Sequence, residues 1–140
     1  MSKIEGTIQA QQLRFLQSWM HRSTADLKRL TTRDCVFMFG SNPPELLDRV
    51  SFVDALERDF RCIGFRLGES IVRRHGRSAW FVAPIDLELK LGAREWKGRF
   101  LITSLWVKGA LGGWKMADTS ISPVAEDERL AESVRRLQMW

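Results

Sequence analysis

Two long stretches of alternating apolar and polar side chains, residues 78–91 and 94–108, meet at Gly92-Ala93, and their charges dictate how they pair. A two-residue hairpin turn there sets Lys90 opposite Glu95, Glu88 opposite Lys97 and Asp86 opposite Arg99. Opposite charges facing across antiparallel strands stabilise by about 0.2–1 kcal/mol per pair. A slip of one residue would turn every side chain to the wrong face, so the register is strongly specified. One face then carries Phe81, Ala83, Ile85, Leu87 and Leu89 with Trp96, Phe100 and Ile102. The other carries Trp80, Val82, Asp86 and Glu88 with Lys97, Arg99, Leu101, Thr103 and Leu105. Toward Trp80 and Leu105 both faces are apolar, and a sheet apolar on both sides needs two covers.

The rest of the chain supplies candidates for those covers. Residues 9–20 place Leu13, Leu16 and Met20, with Phe15 and Trp19 beside them, on one helical stripe. Ser23 with Asp26 three residues on resembles a capping box and predicts a short second helix through Leu27 and Leu30. Residues 35–39 form a short apolar run ended by Gly40, Pro43 and Pro44, which predicts a strand followed by a loop. Asp48 can cap a third helix on which Phe52, Leu56 and Phe60 recur every four residues. Strands are expected over residues 65–74, 78–91, 94–108 and 113–122, parted by turns at His75-Gly76, Gly92-Ala93 and residues 109–112, with Pro123 ending the last. Residues 126–140 predict an amphipathic helix with Leu130, Val134 and Leu137 as its stripe. Three helices can cover one sheet face. The other face needs the C-terminal helix or a second subunit, and a homodimer through the sheet is the expectation.

With 140 residues, 44% of them hydrophobic, the chain has the size and composition of one globular domain, 1–140, with 124–140 as an additional C-terminal helix. It contains no apolar run of the roughly 18 residues that a membrane helix needs. The first residues lack the apolar core of a secretory signal, so a cytoplasmic protein without a membrane partner is expected. Cys35 and Cys62 are too few and too far apart for a disulfide framework or a zinc site, and neither metal nor cofactor is expected. The formal charge of +5 invites a nucleic-acid reading. Its densest stretch, Arg73-Arg74-His75-Gly76-Arg77, holds a turn glycine and reads as a solvated hairpin tip, so no nucleic-acid partner is expected.

Three stretches resemble a known family. Arg33-Asp34-Cys35-Val36-Phe37-Met38-Phe39-Gly40 is similar to an apolar strand opened by two acidic positions, Gly76-Arg77-Ser78-Ala79-Trp80-Phe81 to a strand that begins G-x-x-A-W, and residues 112–122 to a closing strand of pattern G-x-W-x-apolar-apolar-H-x-H-x-S. In this order they resemble the nuclear transport factor 2-like superfamily and, within it, the SnoaL-like domains, over about residues 5–122. The resemblance implies an α+β cone: three N-terminal helices packed on a curved antiparallel sheet, plus here the C-terminal helix. It leaves function open, because the superfamily includes isomerases, cyclases, dehydratases, epoxide hydrolases and members without known chemistry. The ketosteroid isomerase set is not reproduced. Its base position matches Phe39, its strand acid falls close to Thr103, its helical tyrosine falls near Ser18, and the chain has no Tyr. The closing strand carries Asp118 and Ser120 where many relatives have His. The Asp-Arg-Asp set of epoxide hydrolases fails at Leu101, two beyond Arg99.

Taken from the resemblance, Phe39 and Thr103 mark the pocket side, which makes the Trp80, Val82, Thr103 face the concave one. A four-residue loop at 109–112 would set Asp118 opposite Thr103, on the same face as Met116 and Trp114. Pairing across His75-Gly76 would bring Glu69 there between Leu67 and Ile71. Asp118 and Glu69 are therefore the candidate acid/base residues, because a carboxyl among aromatics has a raised pKa. Asp86, Arg99 and Thr103 complete the polar lining, Arg99 as an anion partner, although Asp86–Arg99 also reads as a structural pair. Trp19, Phe37, Phe39, Phe60, Trp80, Val82, Trp114 and Met116 are the expected apolar wall. The expected function is small-organic-ligand binding, with cofactor-independent acid/base chemistry of the isomerase, cyclase or dehydratase type. The alternative is a non-catalytic dimerisation or protein-binding module.

Overall fold

Ile8, Phe15, Leu16 and Trp19 wind one fully buried stripe along α1 (Lys3–Met20). This computed structural model describes residues 3–124 and 130–137, and in it the helix begins at Lys3 rather than Gln9. The Ser23 side chain accepts from the Asp26 backbone N–H and opens α2 (Thr24–Leu30). Asp48 does the same for α3 (Arg49–Arg58), accepting from the Ser51 N–H at 2.7 Å. Arg22, between α1 and α2, donates to the carbonyls of Leu56 and Glu57 at 3.0 and 2.8 Å. It thereby satisfies the C-terminal end of α3 and ties the three helices into one layer.

Against that layer lies a seven-stranded sheet made of β1 (Thr31–Phe39), β2 (Glu45–Asp48), β3 (Phe60–Leu67), β4 (Ile71–His75), β5 (Ser78–Leu91), β6 (Arg94–Lys108) and β7 (Trp114–Pro123). The order is β2-β1-β7-β6-β5-β3, with β4 beside β3 on the same edge of β5. The sheet is mixed, because β1 runs parallel to β7 while every other pair is antiparallel. The β5–β6 register is the one the charges demand: Lys90 faces Glu95, Glu88 faces Lys97 and Asp86 faces Arg99. Gly92 has φ +59°, which a two-residue turn of this kind requires of its first residue.

Three element boundaries in the stretch from Gly40 to His75 depart from expectation. The stretch after Pro43-Pro44 is not all loop, because Glu45–Asp48 forms β2 against β1. Phe60 does not prolong α3 but starts β3. The strand expected over residues 65–74 is two strands, and Pro84 explains the break. Lacking an N–H, Pro84 sits in β5 where β3 has ended, at Leu67 opposite Ile85, and β4 has not begun, at Ile71 opposite Val82. Its carbonyl still accepts from the Gly68 N–H at 2.8 Å.

A β-bulge in β7 has the largest effect on the site. Met116 faces Trp106 and Asp118 faces the next residue, Leu105, so Ala117 is an extra residue. Trp114 and Met116 therefore point with Thr119 and Ile121 into the buried layer, whereas Asp118 points the other way. The expected Thr103–Asp118 pairing is corrected: Thr103 faces Ser120. The helices cover the face that carries Phe81, Ala83, Ile85, Leu87, Leu89, Ile102 and Trp106, all buried. The concave side is thus opposite to the expected one. Trp80, Val82, Asp86, Arg99 and Thr103 lie on the outer, convex face. After β7, α4 (Leu130–Leu137) has no buried residue, and the remainder of the expected 126–140 helix lies outside the described residues.

Candidate active site at the mouth of the cone

The narrow part of the cone is closed by rings. Phe37 and Phe52 stack at 4.0 Å, and Trp19 meets Phe52 and Phe60 at 5.1 Å each. Trp19 and Phe37, both expected in the pocket wall, are packed into this plug and are inaccessible. Above it, where the strands of the sheet end, the cone opens into a cavity of about 570 Å³, a size usual for small-molecule sites. Phe39, Phe60, Trp96 and Phe100 supply aromatic surface, and Leu47, Ala55, Leu89, Leu91, Ile121 and Pro123 supply aliphatic surface. Phe39 and Phe60 meet edge to face at 6.0 Å and form the floor. The lining carboxylate is Glu45, opposite Phe39 at the start of β2, with Ser41 beside it on the 40–44 loop. Gly40 lets that loop leave β1 directly over β7: its N–H donates to the Ile121 carbonyl at 2.8 Å, and a Cβ there would lie 2.3 Å from Ser122 Oγ.

Of the expected site residues, Phe39 and Phe60 line this cavity. Trp114 and Met116 are on the helix-facing side but buried in the core, away from the cavity lining. Glu69 lies in the exposed connection between β3 and β4, so it shares no pocket with Asp118. Asp86 and Arg99 form an exposed ion pair at 3.3 Å on the outer face, a class of contact worth at most about 1 kcal/mol. The acid/base constellation expected from the sequence is therefore not assembled in the cone. Phe39 and Phe60 apart, none of the lining residues is among the expected site residues; Glu45, Trp96 and Phe100 are the chief of those added. Trp96 and Phe100 carried a usable signal, because the hairpin register already placed them on the Phe81–Leu89 face.

The outer face has its own shallow hollow of about 360 Å³, between Val36, Met38, Leu46, Trp80, Thr103, Leu105 and Asp118. Trp80 is 55% exposed there and Leu46 64%. Burial, and then the neighbouring Asp34 carboxylate, hold the Asp118 carboxyl above its ordinary value. Within the core, the Trp106 Nε1–H donates to Gln12 Oε1 at 2.9 Å, and the Ser104 and Thr119 hydroxyls bond at 2.8 Å. Among the described residues, no three His, Cys, Asp or Glu side chains converge as metal ligands, and no helix is long and apolar enough to cross a membrane.

Residues 8–126 match the family of SnoaL-like domains. The chain belongs to that family. Solved structures place the SnoaL-like domain in the nuclear transport factor 2-like fold. One is a nuclear transport factor 2-like protein from Cytophaga hutchinsonii, 15% identical, with a TM-score of 0.78 over 89% of this chain and 100% of the other. A second is the S. rosetta CaMKII hub, 14% identical, with a TM-score of 0.71 over 85% and 95%. A third is a ketosteroid isomerase-like protein from Erwinia carotovora atroseptica, 15% identical, with a TM-score of 0.62 over 89% and 99%. At these identities the likeness establishes the fold. The search of curated proteins found no match. Phe39, which the resemblance sets at the ketosteroid isomerase base position, lines the cavity. Thr103 faces away from it, and the inward neighbours on β6 are Ile102 and Ser104.

Proposed function

We propose that this SnoaL-like domain binds a small, largely apolar organic molecule in the mouth cavity. The observation that carries the proposal is the lining itself: four aromatic rings and a ring of aliphatic side chains around about 570 Å³, with Glu45 as the carboxylate. Such a surface recognises a flat hydrocarbon body, and Glu45 suits a hydrogen-bond donor or cation at its end. Proton transfer to or from a ligand seated there falls to Glu45, because Asp118 and Glu69 lie elsewhere. The neutral dye Nile red tests the site. It should bind with one equivalent per chain, and Trp96→Ala and Phe100→Ala should each weaken it about tenfold, the loss of one aromatic contact of roughly 1.4 kcal/mol. Trp80→Ala, Asp118→Asn and Glu69→Gln should leave it unchanged. Binding lost in Trp80→Ala but kept in Trp96→Ala would move the site to the outer face and overturn the reading.

A homodimer through the outer face accompanies this reading and also suits the alternative, a non-catalytic dimerisation or protein-binding module. The support is the exposed Trp80, Leu46, Met38, Ile71 and Leu101 on a sheet face without a helical cover. Sedimentation equilibrium should give a dimer at tens of micromolar and a monomer for Trp80→Glu. A monomeric wild type would remove the proposal. The free, buried thiols of Cys35 and Cys62 suit a reducing cytoplasm.

A further inference from the structure

The cavity has a candidate occupant within the chain. α4 carries Leu130, Val134 and Leu137 at i, i+4 and i+7, hence on one side of the helix, and these are 77%, 47% and 75% exposed. Glu132, Arg135 and Arg136 lie away from that stripe, with Glu132 and Arg136 paired at 3.1 Å. A one-sided apolar stripe of this kind is stable only against a matching surface.

The place where the chain leaves the sheet selects that surface. Ile121 and Pro123 line the mouth cavity, and the Val124 N–H still bonds the Arg99 carbonyl at 3.2 Å, so the chain departs from the cavity rim. From Val124 to Leu130 there are six steps, a reach of at most about 20 Å. The outer hollow takes Ser120 and Asp118 from β7, four and six residues back from Val124, or about 13–20 Å of strand, on the opposite face of the sheet. A segment bound for that hollow would spend most of its length running back along the sheet to the other face, whereas the mouth lies at the start of the tether. Three branched aliphatic side chains also match the lining, which is apolar apart from Glu45, Ser41 and the backbone.

We infer that α4 folds back over the mouth of its own cone, with Leu130, Val134 and Leu137 seated on the aromatic lining in competition with the ligand. This rests on the cavity being a binding site. The tether makes α4 an intramolecular competitor, and an external ligand meets an open mouth only for the fraction of time that α4 is displaced.

Two measurements on the full-length protein test it. The first is cross-linking of a Glu45→Cys, Val134→Cys double variant. Cys35 and Cys62 will not interfere, because both are buried. The expected product is a disulfide within one chain, seen as a faster monomer band without reductant. A covalent dimer would assign α4 to a second copy, and no cross-link would leave α4 off the mouth; either overturns the inference. No ligand enters this experiment, so it can fail while the binding site stands. The second is Nile red titration of the Leu130→Ser, Val134→Ser, Leu137→Ser triple variant, whose changes are confined to exposed positions. A mouth closed nine-tenths of the time predicts about tenfold tighter binding once α4 is released. Unchanged or weaker binding would refute the competition.

Discussion

The closest approach of backbone to side chain at the mouth is at Gly40, and it yields a quantitative test. A methyl group there would lie 2.3 Å from Ser122 Oγ, 2.7 Å from Ser122 Cβ and 3.2 Å from Ser122 Cα. The first two distances are far inside van der Waals contact, so Gly40→Ala must push β1 from β7 or bend the 40–44 loop. Overpacking of this kind costs about 1–3 kcal/mol. Ser122→Ala removes only Oγ and leaves the 2.7 Å clash, whereas Ser122→Gly removes both offending atoms and leaves the 3.2 Å contact. By itself Ser122→Gly should cost about 0.5–1 kcal/mol in strand entropy. The Gly40→Ala, Ser122→Gly double variant should therefore recover much of the Gly40→Ala loss, a coupling of about 1–2 kcal/mol, with Ser122→Ala recovering less. Urea denaturation of the single and double variants measures this directly. Additive losses within about 0.5 kcal/mol would refute the argument, because they would mean that the two positions do not compete for the same space.

Asp118 should show a reversed pH effect. Burial and Asp34 raise its pKa, so the folded protein holds a proton that the unfolded chain releases, and stability falls as pH rises from the ordinary carboxylate range through the raised value. Asp118→Asn should raise the melting temperature at neutral pH and leave it unchanged in acid; thermal melts at pH 3 and 7 decide. The thiols of Cys35 and Cys62 are pushed up to about 12, in both cases chiefly by burial. A chromogenic disulfide at pH 8 should label neither in the native protein and both in denaturant. On the hairpin, Lys97→Glu sets two carboxylates face to face and should cost up to about 1 kcal/mol, which Glu88→Lys in the same chain restores. Equal losses in the single and double variants, read by denaturation, would show that the pair contributes nothing.

The parts of this structure legible in the sequence are those governed by local chemistry. The β5–β6 register follows from charges that meet across a two-residue turn, and the starts of α2 and α3 follow from Ser23 and Asp48 as caps. What was not legible depends on partners distant in sequence. Ala117 bears no mark of a bulge, yet the bulge turns Trp114 and Met116 away from Asp118. Pro84 did carry a signal, because a proline inside a long strand implies a gap in one neighbouring strand; that gap separates β3 from β4 and leaves Glu69 outside the sheet. The hairpin register sorts the two faces of β5 and β6 correctly, but the outer of them is the one that the resemblance marks as concave. In these two strands that mark rests on Thr103 alone, and an error of one residue in a strand inverts inside and outside. The mouth cavity is assembled from the ends of six strands and one helix, a juxtaposition that no single segment encodes.

The ladder of paired charges has one more consequence. On the outer face, Asp86–Arg99, Glu88–Lys97 and Lys90–Glu95 occupy the half of the ribbon near the hairpin tip, and the exposed ring of Trp80, opposite Leu105, occupies the other half. Each ladder residue already faces its opposite, and the ladder withholds the hydrocarbon that would reward contact. It works as a fence: a partner that docks on this face is directed to the Trp80 end, where Arg73 stands opposite Trp80.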